Sequence, residues 1–94
     1  MAALGVLTLE LRIEHAHSLK DKRQVVRSLT ARLRQKFNLS VSEIDNQSLH
    51  NSSVIAAATV SSSKAFAEKV LSAAENEAAG LLGPMLIRAD TEWF

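Results

Sequence analysis

Basic side chains between residues 20 and 36 are the groups in this chain whose type and spacing suit one chemistry, the binding of phosphate. Seven of the eleven Lys and Arg residues lie there beside one of the ten acidic residues, which gives the stretch a net charge of +6 and the remainder −5. Cations that contact phosphate supply affinity for RNA without reading its sequence. A solvated helix with Lys and Arg on its outer face explains the same pattern, so two interpretations stay open.

The spacing predicts a helix over residues 18–37 with two basic flanks that border, rather than occupy, its buried face. Ser18 and Asp21 have the spacing of a capping box, which marks the helix start. At about 100° per residue, one apolar stripe forms from Val26, Leu29, Leu33 and Phe37. The first flank is the candidate nucleic-acid-binding set and consists of Lys20, Arg23, Arg27 and Arg34. The second flank lies across the stripe and consists of Lys22, Arg32 and Lys36.

Other polar side chains give no recognisable catalytic arrangement. Acidic and imidazole groups lie near the predicted strand ends: Glu10, Glu14, Glu43, Asp45, His15, His17 and His50. General acid–base catalysis requires groups within hydrogen-bond reach, and no spacing here fixes a pair. His15 and His17 lie in a short connection before the helix, and no cysteine completes a metal site around them. The sequence therefore predicts a binding protein without catalysis, cofactor or metal.

Length and composition predict a single domain over residues 1–94. The apolar content suffices for one core of modest size, and the lack of cysteine excludes disulfides and thiolate chemistry. No apolar run reaches the length of a membrane span, and the N-terminal segment lacks the basic residues that begin a signal peptide. These features predict a cytoplasmic protein without membrane association.

Apolar periodicity places two strands around the basic helix. Residues 7–13 alternate apolar and polar side chains, as in a half-buried strand. A second strand over 39–45 loses this alternation at Glu43 and Ile44, which indicates a bulge or an edge position. The polar residues that follow predict a hairpin loop over 45–53.

The second half of the chain predicts two further strands and one helix. The continuous apolar run over 54–60 is typical of a central strand, and residues 64–79 favour a helix. Glu75 and Glu77 oppose the macrodipole at the end of that helix, so we expect fraying there. The last strand lies within 85–94.

The element order βαββαβ predicts an α+β ferredoxin-like sandwich. Two right-handed crossovers place both helices on one face of a four-stranded antiparallel sheet, with the first and third strands central. The residues expected on the opposite, open face are Val6, Thr8, Ile55, Ala57 and Thr59. Apolar side chains there favour stacking of two sheets, so a homodimer through this face or an edge strand is the alternative function. Trp93 and Phe94 either extend that surface or, for Trp93, close the core.

Several segments resemble the bacterial YlxP-like family of unknown function. They are Gly5 to Leu11, Ala16 to Arg23, Val25-Val26, Ser28-Leu29, Arg32 to Arg34, Lys36 to Asn38, Val41 and the C-terminal Thr91 to Phe94. The resemblance is closest over residues 5–47. Where the family tends to carry an acidic residue and a tryptophan after the glutamine, this chain has Gln47-Ser48-Leu49-His50-Asn51. It implies a ferredoxin-like fold and a cytoplasmic protein whose genes often lie near translation and ribosome-assembly genes.

Taken with the charge pattern, the resemblance predicts a module that binds RNA or a ribosomal particle through the first flank. Many ferredoxin-like proteins stack bases on sheet aromatics, but the predicted first and third strands contain none. The helix surface is therefore the expected interface, and the family supplies no catalytic residues.

Overall fold

The computed structural model describes all 94 residues and contains one four-stranded antiparallel sheet with two helices. The elements in chain order are β1 (Ala3–Arg12), α1 (Leu19–Lys36), β2 (Ser40–Asp45), β3 (Ser52–Ser61), α2 (Lys64–Leu82), a 3-10 turn (Gly83–Met85) and β4 (Leu86–Trp93). The strand order is β2-β3-β1-β4, so β1 and β3 are central. This arrangement confirms the ferredoxin-like sandwich and the peripheral positions of β2 and β4.

The core lies between the sheet and the helices. Leu7, Leu9 and Leu11 on alternate positions of β1 are fully buried, because a strand directs every second side chain to the same face. Leu29 and Leu33 from α1 are buried in the same cluster, and Val26 and Phe37 pack against it half-buried. The predicted apolar stripe of α1 is therefore confirmed.

The predicted side-chain phase of β3 was wrong. Ile55, Ala57 and Thr59 are buried under the helices rather than on the open face. The register explains this, because Ala57 lies opposite Leu7 and directly opposed residues share a face. The run over 54–60 is apolar at nearly every position, so its sequence contains no alternation from which the phase can be read.

The open face, defined here as the sheet side away from the helices, grades from apolar to charged. One end carries Leu4 of β1, Val60 of β3 and Phe94, which directly follows β4. These three residues lie side by side and are 40%, 59% and 73% exposed. The apolar surface continues through the small side chains of β3 and through Val6, which lies opposite Ala58. Towards the other end, Glu10 lies opposite Arg88. Val6 and Thr8 are on this face as expected.

Trp93 lies on the helix-covered side and closes the core. A Cβ atom added at Gly5 would lie 2.6 Å from the indole ring and 2.7 Å from Leu71, so only glycine allows this close approach. The Lys64 ammonium lies 5.2 Å from the ring centroid, within cation–π range. The two C-terminal aromatic residues therefore have different roles, with Phe94 alone extending the open face.

Helix α2 extends one turn beyond its predicted end at residue 79. It contains Gly80 and ends after Leu82, whose side chain is buried in the core. Gly83 then adopts φ 56°, a left-handed conformation that glycine tolerates and that stops a helix. Burial of Leu82 explains why the glycine at position 80 does not end the helix.

Candidate nucleic-acid interface

The first flank forms an exposed basic surface along the outside of α1. Lys20, Arg23 and Arg27 are exposed, and none takes part in the four ion pairs of the protein. The Arg34 guanidinium is also exposed and donates a hydrogen bond of 2.5 Å to the Val41 carbonyl of β2. The four cations thus share one surface beside the β2 edge of the sheet and have no carboxylate partner.

Asp21, the one acidic residue of α1, takes part in the cap at the start of this helix. Ser18 Oγ accepts a hydrogen bond from the Asp21 amide at 3.1 Å, as the capping-box spacing predicts. Asp21 Oδ2 in turn accepts from the His17 amide at 3.0 Å. Because this carboxylate binds backbone at the helix start, it does not neutralise the arginines further along the flank.

Two members of the second flank are paired with α2. Glu77 accepts hydrogen bonds from Arg32 and Lys36, each at 2.8 Å. The hydrogen bonds from Lys36 and then Arg32 hold the pKa of Glu77 below its ordinary value of 4.5. Glu77 therefore joins the two helices. From sequence alone, Glu77 has only an unfavourable position in the macrodipole of α2, which does not predict this role.

The prediction that Lys22 borders the buried face as part of the second flank was wrong. Lys22 is buried and only 1% exposed. Its ammonium contacts Glu43 Oε2 at 3.0 Å and donates to the carbonyls of Asn46 at 2.8 Å, Gln47 at 3.2 Å and Ser52 at 3.3 Å. Glu43 Oε2 also accepts from Ser53 Oγ at 2.5 Å. The flexible Lys stem runs along apolar surface while its charged end reaches polar partners. Those partners lie 21 to 30 residues away in the chain, which explains why local spacing missed the contact.

The loop pinned by Lys22 has a defined backbone. Asn46 adopts φ 62° and its carbonyl accepts from the Leu49 amide at 3.0 Å. The Asn51 carbonyl accepts from the Ile13 amide at 2.8 Å, which fixes the loop to the end of β1. The irregularity predicted in β2 is confirmed as a register shift between Glu43 and Asp45.

The remaining candidate groups are distributed around the molecule. Glu43 is held by Lys22, and Glu10 is on the open face near Arg88. The Arg88 and Asp90 side chains form an exposed ion pair at 2.6 Å. No group of three or more His, Asp or Glu side chains is placed to hold a metal ion. No helix is long and apolar enough to cross a membrane.

Fold and surface together define a small ferredoxin-like α+β domain with a basic outer helix face. The chain belongs to the family described as "Protein of unknown function (DUF503)", whose sequence pattern matches residues 4–88. It is 40% identical over 68 residues to the uncharacterised protein YlxP of Bacillus subtilis strain 168, covering 72% of this chain and 74% of that one. The YlxP-like resemblance is therefore confirmed.

Solved structures support the fold assignment. The de novo designed protein Foldit4 superposes with a TM-score of 0.65 at 8% identity, over 100% of this chain and 97% of that one. A dimeric ferredoxin-like protein of unknown function from Thermobifida fusca gives a TM-score of 0.51 at 13% identity, over 97% and 90% of the two chains. At these identities the likeness concerns the fold alone.

Proposed function

We propose that this protein is a cytoplasmic RNA-binding module that acts without catalysis and contacts RNA phosphates through the first flank. The observation that carries the proposal is the difference in pairing along α1. Arg32 and Lys36 are neutralised by Glu77, and Lys22 is buried with Glu43. Lys20, Arg23 and Arg27 have no carboxylate partner, so their charge is available to an external anion.

The dimensions of the first flank suit a polyanion better than a single small anion. From residue 20 to residue 34 the helix advances by about 21 Å, a distance over which a nucleic-acid strand presents several phosphates. Arg34 is also held in place by the Val41 carbonyl, which limits the rotamer freedom it would lose on binding.

A ribosomal particle is the RNA source that we propose. The family resemblance supports this choice through its genes near translation and ribosome-assembly genes. The sheet offers little for stacking of bases, because Phe94 is the only aromatic side chain at the open face. Phosphate contact by the helix therefore supports the proposal better than base stacking on the sheet.

The test is RNA and ribosome binding by the Arg23→Gln, Arg27→Gln, Arg34→Gln variant over a salt series. The plot of log affinity against log salt should flatten by about 0.7 per lost single-strand phosphate contact, hence by about 2 for three. The charge-matched control is Arg32→Gln, Lys36→Gln, Arg88→Gln, which should keep the parent's slope. Parental affinity and slope in the folded first-flank variant would show that this surface does not bind RNA.

A homodimer through the open face is the second candidate, favoured by the apolar end of that face. Phe94, Leu4 and Val60 are adjacent and exposed, and stacked sheets bury such residues. The related fold from Thermobifida fusca is described as dimeric, which is consistent with this use. Sedimentation should show a concentration-dependent dimer that Val6→Glu abolishes. A concentration-independent monomer would refute this candidate.

A further inference from the structure

The loop from Gln47 to Asn51, called here the anchored loop, is the region that the proposed phosphate-binding role leaves unexplained. All five of its residues are exposed. Its backbone, however, is fixed from inside by a buried ammonium group and by the end of β1. A surface loop of polar residues needs no such anchor merely to join two strands.

The anchor is costly, which indicates that loop position matters. Burying Lys22 removes an ammonium group from water, and that cost is recovered only because one carboxylate and three carbonyls surround it. An apolar side chain would join α1 to the sheet without this cost. It would not bind the carbonyl of Gln47, the first residue of the loop, or that of Asn46 just before it.

In the anchored loop the backbone makes the structural hydrogen bonds, whereas the polar side chains are left available to a ligand. The carbonyls of Gln47 and Asn51 make the structural hydrogen bonds. The side chains of Gln47, Ser48, His50 and Asn51 make no hydrogen bond within the protein. Amide, hydroxyl and imidazole groups are donors and acceptors that suit base edges, and an imidazole ring also stacks on bases.

The anchored loop adjoins the first flank. Lys20 and Arg23 lie within one helical turn of Lys22, whose ammonium touches the loop backbone. The loop therefore lies at the same end of α1 as Lys20 and Arg23, so that an RNA strand bound by these two cations could continue onto the exposed side chains of the loop. Bases are accessible there only if the strand is unpaired, because the grooves of an RNA duplex hide most base edges from side chains.

We propose that the anchored loop reads the bases of single-stranded RNA held by the first flank, and that Lys22 is the positioning residue for this loop. The inference rests on the proposed RNA-binding function and extends it from phosphate affinity to sequence preference. Phosphate contacts carry no sequence information, so any preference must arise from groups such as these.

The experiment compares binding of short single-stranded RNA homopolymers of each base, and of a duplex of equal length, at about 50 and 200 mM salt. The parent should prefer one single-stranded sequence by roughly five- to tenfold, the scale of one base contact. Gln47→Ala, His50→Ala, Asn51→Ala should reduce this preference to near parity while the salt slope stays unchanged. The matched control, Gln35→Ala with Asn76→Ala, removes exposed amides elsewhere and should keep the preference.

A second pair of variants tests the positioning role. Lys22→Met alone leaves a buried carboxylate unpaired and could unfold the protein. The double variant Lys22→Met, Glu43→Gln removes both charges together, and the glutamine still accepts the hydrogen bond from Ser53. The folded double variant should lose sequence preference and keep the parental salt slope. Retained preference in the loop variant, or equal binding of every homopolymer by the parent, would overturn this inference while leaving phosphate binding intact. Absence of salt-dependent RNA binding by the parent would instead overturn the proposed function.

Discussion

The two flanks of α1 have similar residue types but different surroundings in the fold. Both are built from Lys and Arg on the sides of one apolar stripe. The first flank faces outward beside the β2 edge, where only the Val41 carbonyl meets one of its cations. The second flank is occupied by contacts to α2 and to the β2–β3 hairpin. The comparison shows that a cation's availability depends on the neighbouring elements rather than on its position beside the stripe.

The contrast within the second flank is equally informative. Arg32 and Lys36 are about half-exposed, whereas Lys22 is enclosed. Exposed pairs contribute little to stability because water screens them, whereas a buried charge that loses its partner is strongly unfavourable. Three residues of one flank are therefore expected to differ greatly in their effect on folding.

The largest expected effect comes from Lys22→Ala. It leaves the Glu43 carboxylate and three backbone carbonyls without their cation, and we expect a loss of about 3–5 kcal/mol in the free energy of unfolding. Urea denaturation measures this loss. Lys20→Ala is the control, with an expected change within about 0.5 kcal/mol because Lys20 is exposed and unpaired. Equal effects of the two substitutions would contradict the distinction between the flanks.

The apolar stripe between the flanks gives the next largest effect. Leu29→Ala should cost about 2–5 kcal/mol, because the side chain is fully buried and its removal leaves a cavity. Chemical denaturation of the variant tests this value, with Ala31→Gly as a control for helix propensity at an exposed position. A loss below about 1 kcal/mol would contradict a rigid, fully packed site at Leu29 and would indicate that the core collapses around the shorter side chain.

A smaller effect, with a defined pH dependence, is expected at Glu77. Its folded pKa is lowered by Lys36 and Arg32, so the ionised carboxylate stabilises the fold at pH above its ordinary value of 4.5. That contribution is lost as the pH falls through the lowered pKa. Glu77→Gln should therefore be less stable than the parent near neutral pH and converge with it in acid. Glu75→Gln is the control, since Glu75 forms no ion pair; the same pH dependence in both variants would exclude the two cations as its cause.

The fold could be predicted because its local signals agree with one another. The alternating leucines of β1 and the apolar stripe of α1 each indicate the type of secondary structure, its approximate ends and the face that is buried. The side-chain phase of β3 could not be predicted, since an apolar run without alternation fits either face. The extension of α2 past Gly80 depended on burial of Leu82, a tertiary effect that the glycine does not reveal.

The candidate site was predictable only in part. Spacing along one helix placed Lys20, Arg23, Arg27 and Arg34 on a common side, because that relation is local. It could not show that Lys22 reaches Glu43 or that Glu77 reaches two residues more than forty positions away. Those contacts depend on how β2 and α2 pack on α1. A lysine lying next to the apolar stripe was the one local signal that favoured burial of Lys22.

The smallest expected effect tests whether pairing alone separates the flanks. Glu77→Gln releases Arg32 and Lys36 from their carboxylate and leaves the first flank unchanged. If an RNA strand on α1 can also reach that side, the plot of log affinity against log salt should steepen by about 1.4, or 0.7 for each added phosphate contact. Glu75→Gln removes the same charge without releasing a cation and should leave the slope as it is. If Glu77→Gln also leaves the slope unchanged while the first-flank variant flattens it, the position of each flank decides RNA contact, because the released cations then lie outside the path of the strand.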